Sequence, residues 1–387
     1  MEKMASTSRG KKIRALIFLL TLTGMTGLFA QDIIRLTPPV LRGSDPYVPI
    51  IQSEIDSKFR DIQNQINSEL GLSSRPQKMI GAFASSSVFS SMGASLRTYQ
   101  GYNTFALMLG TMVGVQFPPV SIFSILFGSE DVVNKILYDS SDIRLGANPQ
   151  IINAQVGVNT SRFLLKGLYL GLKGGYMNLP IDLGIFSLSF QTWSAGGMIN
   201  YQFLPQQRLG GGLFVWRGLS VGAGFIYQGT SLNVNIPLEL EDITDESFDI
   251  FDIEGTKISG YIRNVKLGMN FGITTYTVPL EVSTAIRLLG FFNLSLGLGA
   301  DFAFGIASLR AGGDAELGVD GLPPQITYTP GRVSISMGGS NSPSLLNPKV
   351  MGSLGFSVGP AIILDIPVTY YFLNNGYNVG ISFGIAL

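Results

Sequence analysis

The densest group of side chains able to do chemistry is acidic. Glu239, Glu241, Asp242, Asp245, Glu246, Asp249, Asp252 and Glu254 crowd one stretch. Carboxylate oxygens at that density suit a hard cation such as Ca²⁺. The spacing follows no calcium-loop pattern, and Phe248, Ile250, Phe251 and Ile253 interrupt it, so the stretch reads as a solvated loop. A second set of ionisable residues is dispersed: Arg97, Lys173, Lys266, Glu281, Arg287, Asp301 and Asp365 each fall among small or polar neighbours of the same parity. Facing a lumen, they could form a constriction that selects permeants; equally, they could simply pair and hydrate there. There is no His and no Cys. That removes the commonest general base and metal ligand, and with them disulfide and thiolate chemistry. No Ser–Lys or paired-carboxylate spacing stands out, and the Gly-rich stretches at 210–212 and 338–339 suit turns better than phosphate-cradling loops. The expectation is a protein that is not an enzyme and holds no cofactor or metal.

The elements that must carry these residues are strands. The final residues show it best: Tyr377, Val379, Ile381, Phe383, Ile385 and Leu387 alternate with Asn378, Gly380, Ser382, Gly384 and Ala386. Only a β-strand sends successive side chains to opposite faces. The same alternation recurs in many runs, the clearest being Phe292, Leu294, Leu296, Leu298, Ala300, Phe302, Phe304 and Ile306 against Asn293, Ser295, Gly297, Gly299, Asp301, Ala303 and Gly305. These runs exceed the usual five or six residues of about, and their polar face is poor in charge where a water-facing strand would carry Lys and Glu. Small inward residues suit the curvature and close packing of a barrel. Charged residues make up 13% of the chain and Gly 48 of 387, against averages of about 25% and 7%, and mean hydropathy is positive, +0.31. The longest uncharged stretch, Thr104 to Gly128, is broken by Gly110, Gly114 and Pro118-Pro119 and alternates like a strand; no helical span is expected.

Two N-terminal segments differ. Residues 1–30 have a basic start (Lys3, Arg9, Lys11, Lys12, Arg14) and an apolar run to Ala30, the pattern of a cleaved secretory signal. Without them, acidic residues outnumber basic ones, which argues against a nucleic-acid partner. In residues 31–76, Ile51, Ile55, Phe59, Ile62, Ile66 and Leu70 recur at spacings of three and four among charged and amide residues, predicting an amphipathic helix with Gly71 at its end. One apolar stripe cannot hold a lone helix in water. It must dock on something: the barrel wall or lumen as a plug, the periplasmic membrane interface, or copies of itself. Residues 77–387 are then expected to form an all-β, transmembrane antiparallel barrel of about 14 strands (about 12–16), with longer insertions at 129–149, 239–257 and 310–348.

The alternating runs and the closing sequence Tyr377 to Leu387 resemble bacterial outer-membrane β-barrel proteins. Strand number and the N-terminal helix look like the long-chain fatty-acid transporter family, although its Asn-Pro-Ala motif is absent and Leu387 stands where such barrels usually end in an aromatic residue. A spirochaete-type outer-membrane barrel fits as well. The resemblance implies a multi-pass outer-membrane protein in contact with lipid. Its expected role is a channel or plugged transporter for a small solute or hydrophobic ligand. The alternative is a surface-exposed barrel whose loops bind a partner, with the oligomeric state open.

Overall fold

The computed structural model describes residues 34–69, 75–91, 104–117, 146–161, 163–182, 187–209, 213–238, 248–253, 256–358 and 362–387. The expected signal segment, Leu70, Arg97, residues 239–247 of the acidic stretch and most of 129–149 lie outside these residues.

The chain begins with strands β1 (Ile34–Thr37) and β2 (Val40–Arg42), then helices α1 (Val48–Glu69) and α2 (Arg75–Ser91). Strands follow: β3 (Phe105–Gln116), β4 (Gly146–Asn159), β5 (Leu168–Asp182), β6 (Ser187–Leu204), β7 (Gln207–Leu209), β8 (Phe214–Leu238), β9 (Phe248–Ile253), β10 (Thr256–Leu288) and β11 (Phe292–Asp320). The last are β12 (Thr327–Thr329), β13 (Gly331–Asn341), β14 (Leu346–Val358), β15 (Ile362–Tyr371) and β16 (Gly376–Ala386). All but β2 and β12 belong to one antiparallel sheet of 14 strands, agreeing with the expected number. The sheet closes on itself, because β10 pairs with both β8 and β11. The circuit runs through β3, β4, β5, β6, β8, β10, β11, β14, β15 and β16. Strands β1, β7, β9 and β13 pair outside that circuit.

The outer face of the circuit is apolar. Leu172, Ile199, Phe225, Leu280, Val282, Leu296, Leu298, Ile366, Ile381 and Phe383 are all exposed. Their inward neighbours Lys173, Asn200, Gln228, Glu281, Ser295, Asp301, Asp365 and Ser382 are buried. This is the reverse of a soluble protein and the arrangement a bilayer demands. Aromatics mark one edge: Trp193, Tyr227 and Tyr276 stack in a row across β6, β8 and β10, with ring centroids 4.8 and 5.0 Å apart. From Tyr276 to Ile286 is about ten residues, which at about 3.4 Å per residue and a tilt near 40° spans roughly 26 Å. That matches the apolar band of an outer-membrane barrel.

Past that row, strands β10, β11 and β13 continue and the two faces exchange chemistry. On β11 the exposed Phe304 and Ile306 give way to exposed Arg310, Asp314, Glu316 and Asp320. Meanwhile the buried side changes from Ser295 and Asp301 to Leu309, Ala315, Leu317 and Val319. The parity is unbroken; the solvent has changed from lipid to water. The new apolar face is covered by α1, whose Ile51, Ile55 and Phe59 are fully buried against Leu41, Ile258, Leu317, Ile326 and Val333. Gln63 of α1 accepts from the Leu36 amide of β1 at 2.9 Å, and Gln52 from the Leu41 amide at 2.8 Å, so the helix also satisfies the strand edge beneath it.

The structure corrects the sequence reading in two places. Residues 75–91 form α2, where the sequence reading has the barrel begin at residue 77. Pro76, which follows the first helix, sits in the first turn of the second, where its missing N–H costs nothing. Residues 310–348 are mostly strand (the end of β11, β12, β13 and the start of β14), not a loop. Thr274 to Pro279 is uninterrupted strand within β10. This places β9 at the same end as α1, opposite Leu387.

Candidate functional site

The lumen brings three of the expected ionisable residues together, Lys173, Glu281 and Asp301, and α2 fills its mouth. This helix of 17 residues touches β3, β4, β8, β10, β11, β13 and β16, most of the way round the wall. Its surface is made of small residues: Ala82, Ala84, Ser85, Ser86, Ser87 and Ser90 are all buried. An α-helix with side chains is about 10–12 Å across, and an eight-stranded barrel is just filled by its own side chains. A circuit of ten strands therefore admits a helix only if both surfaces are trimmed. Gly114 of β3 does this on the wall, since a Cβ there would lie 2.3 Å from the Ser86 carbonyl oxygen and 2.4 Å from the Ser90 amide.

Polar contacts fix the helix in place. Asn378 Nδ2 donates to the Phe89 carbonyl at 2.5 Å, satisfying one of the carbonyls that a helix C-terminus leaves open. Gln228 Nε2 donates to Ser90 Oγ at 3.2 Å, Asn341 Nδ2 to the Gln77 carbonyl at 2.6 Å, and the Ser344 amide to Ser85 Oγ at 3.3 Å. Phe89 stacks on Tyr371 with ring centroids 4.0 Å apart, and Phe83 meets Phe271 edge-on at 5.3 Å.

Beside the Phe89–Tyr371 stack lies a buried charge cluster. Lys349 Nζ on β14 is 2.5 Å from Glu281 Oε1 on β10 and 2.7 Å from Asp301 Oδ1 on β11. Lys173, on the far wall at β5, is buried and feels the charges of Glu281, Lys349 and Asp301. Two lysines and two carboxylates balance. Gly299, the cross-strand partner of both Glu281 and Lys349, leaves room for the Lys349 stem: a Cβ at that position would sit 3.2 Å from Lys349 Cε. Asn374 Nδ2 bonds Asn347 Oδ1, and Ser344 Oγ bonds Asn374 Oδ1, continuing the polar network to the β15–β16 turn. Lys349, held between the two carboxylates, ties β10, β11 and β14 together under the helix.

The other expected positions fall apart. Asp365 is buried on β15, between partners Gly355 and Ser382. Arg287 is half-buried near the opposite rim, one residue from the end of β10. Lys266 faces outward and is exposed. It shares parity with exposed Leu280 and Val282, and above the aromatic row that face looks into water. Of the expected plug residues, Ile51, Ile55 and Phe59 seal the extension and not the lumen; Ile62 is half-buried and Ile66 lies further along the helix. Lys349, the centre of the charge cluster, is absent from the sequence-predicted inward set, because no alternating run is assigned to the stretch that follows the 310–348 insertion. The polar parity of Asn347, Lys349 and Ser353 was its available signal.

Outside the lumen, the water-facing side of the extension is a sheet face of small and amide residues. Asn233 and Asn235 of β8, Gly268 and Asn270 of β10, Arg310 and Gly312 of β11, and Ser336 and Gly338 of β13 line a shallow cavity of about 640 Å³. They fall in two rows across the strands, Asn233–Asn270–Arg310–Gly338 and Asn235–Gly268–Gly312–Ser336.

Comparison with known proteins adds a family. Residues 38–387 match the Lsa36-like family, and no curated protein matches the chain. Among solved structures, the outer membrane protease OmpT from Escherichia coli is 11% identical, covering 73% of this chain and 94% of its own at a TM-score of 0.31. A Pseudomonas aeruginosa FadL homologue is 11% identical, with coverage of 80% and 96% and a TM-score of 0.28. The translocator domain of autotransporter NalP from Neisseria meningitidis is 8% identical, with coverage of 74% and 90% and a TM-score of 0.28. All three are outer-membrane barrels; scores this low say nothing about function. The chain belongs to the Lsa36-like family and is a membrane-spanning β-barrel of the outer-membrane type.

Proposed function

We propose that this Lsa36-like protein is a closed outer-membrane barrel that holds a folded β-extension on the cell surface for binding, rather than a channel. The observation that carries this reading is α2, wedged in the barrel mouth by hydrogen bonds from the wall and close backbone packing at Gly114. A diffusion pore needs a continuous aqueous path, and here helix, charge cluster and inward side chains occupy it. The extension supports the other half of the reading. Strands longer than the bilayer requires, with an apolar core covered by α1, cost the chain a second packed layer that mere anchoring does not need. With Leu387 on the periplasmic side, as is usual for such barrels, the extension stands outside the cell.

Orientation can be tested cleanly because the chain has no Cys. Ser336→Cys, on the extension, is expected to react with a membrane-impermeant maleimide on intact cells. Ser161→Cys, in the turn at the opposite rim, is expected to react only after permeabilisation. The reverse pattern would overturn the surface assignment.

A further inference from the structure

From the face lined by Asn233, Asn235, Asn270 and Arg310, we infer a binding site for the acidic saccharide of a glycolipid standing in the same outer leaflet. The inference rests on the orientation proposed above. Three observations carry it. The first is direction. This face is the upward continuation of the lipid-facing wall, on the same parity as Leu280 and Phe304, so it looks along the membrane plane at neighbouring lipids. The second is height. Arg310 lies six residues beyond Phe304, which is the partner of Tyr276 in the aromatic row. At about 3.4 Å per residue and a tilt near 40°, that is roughly 16 Å above the row. A phospholipid headgroup layer adds only about 5–8 Å to each side of the hydrocarbon core. A headgroup must therefore carry several sugars to reach the site. The third is chemistry. Carboxamides are paired donors and acceptors that match sugar hydroxyls, and a guanidinium matches phosphate or carboxylate in a bidentate manner. Gly268, Gly312 and Gly338 leave the floor open for a ring to settle.

The charges agree. Lys266 and Asp314 are cross-strand partners on this face, as are Glu316 and Arg332. Arg310 has Asn270 and Gly338 as its partners, so its charge is left uncompensated within its row. A carbohydrate bound here would be a permanent neighbour of the barrel, distinct from any ligand approaching the top of the extension.

The test uses the full chain refolded in zwitterionic micelles and titrated with two probes: rough-type lipopolysaccharide, which carries a phosphorylated core saccharide, and lipid A, which lacks that core. The wild-type protein is expected to bind the first at least ten times more tightly than the second. Arg310→Ala and Asn270→Ala are each expected to remove most of that difference, with the gel mobility of the unheated barrel reporting that both variants are folded. Equal binding of the two probes, or a difference untouched by either variant, would overturn the proposal. Binding of soluble heparin that depends on Arg310, with no preference between the two lipids, would also overturn it, by assigning the site to a glycan from another surface. The assay reads an exterior face, so its outcome is independent of whether the lumen conducts.

Discussion

At the scale of single residues, the structure turns on charges and glycines that have one role each. Lys349 pairs with both Glu281 and Asp301 in the buried interior. Lys349→Met removes the ion-pair partner of two buried carboxylates and is expected to cost about 3–5 kcal/mol, read as a lower denaturant midpoint for loss of unheated gel mobility. Adding Glu281→Gln and Asp301→Asn should recover most of it; a single-variant loss under about 1 kcal/mol would show that the cluster is not the cross-link described. Gly114→Leu forces a side chain into the Ser86 and Ser90 backbone and is expected to make α2 cleavable by added protease while the barrel stays folded. In the extension, the Tyr261 hydroxyl is pushed up to about 12, by burial first and then by its 2.6 Å hydrogen bond with Tyr328. Tyr328→Phe should bring its titration back toward the usual value near 10, which absorbance at alkaline pH would follow. Parity made Lys173, Glu281, Asp301 and Asp365 legible as inward residues. Lys266 was misplaced by the same rule, because alternation records two faces but not which solvent each one meets.

At the scale of elements, the two helices show what a sequence can carry. The stripe of Ile51, Ile55 and Phe59 announces α1 because one side of that helix meets an apolar partner and the other meets water. It could not announce where that partner was, since the apolar face on Leu317, Val319 and Val333 exists only once three strands outrun the membrane. Helix α2 has no stripe at all. Wall strands pack against it from several directions, so its Ala and Ser positions reflect space rather than polarity, and a run of small residues carries no period. The roles are separable by experiment. Ile55→Ala is expected to cost about 2–5 kcal/mol, confined to the extension: amide exchange should quicken in α1, β1 and β13 and stay unchanged in β15 and β16. Equal quickening in β15 and β16 would mean that extension and barrel unfold as one unit.

At the scale of the whole molecule, one sheet serves two solvents. Below the Trp193–Tyr227–Tyr276 row its outside is greasy and its inside polar; above the row the chemistry reverses while the backbone pairing of β10 with β11 runs on from Phe292 to Asp320 with one bulge near Arg263. The membrane part encloses α2 and a balanced charge cluster, and the extension encloses an ordinary apolar core under α1. Closure of the lumen is the central claim, and planar-bilayer conductance of refolded residues 31–387 tests it most directly. The account predicts silence from a folded, membrane-inserted protein across ordinary voltages, and stable steps from a Gly114→Leu protein whose helix has been driven out. Stable open steps from the wild-type chain would contradict it.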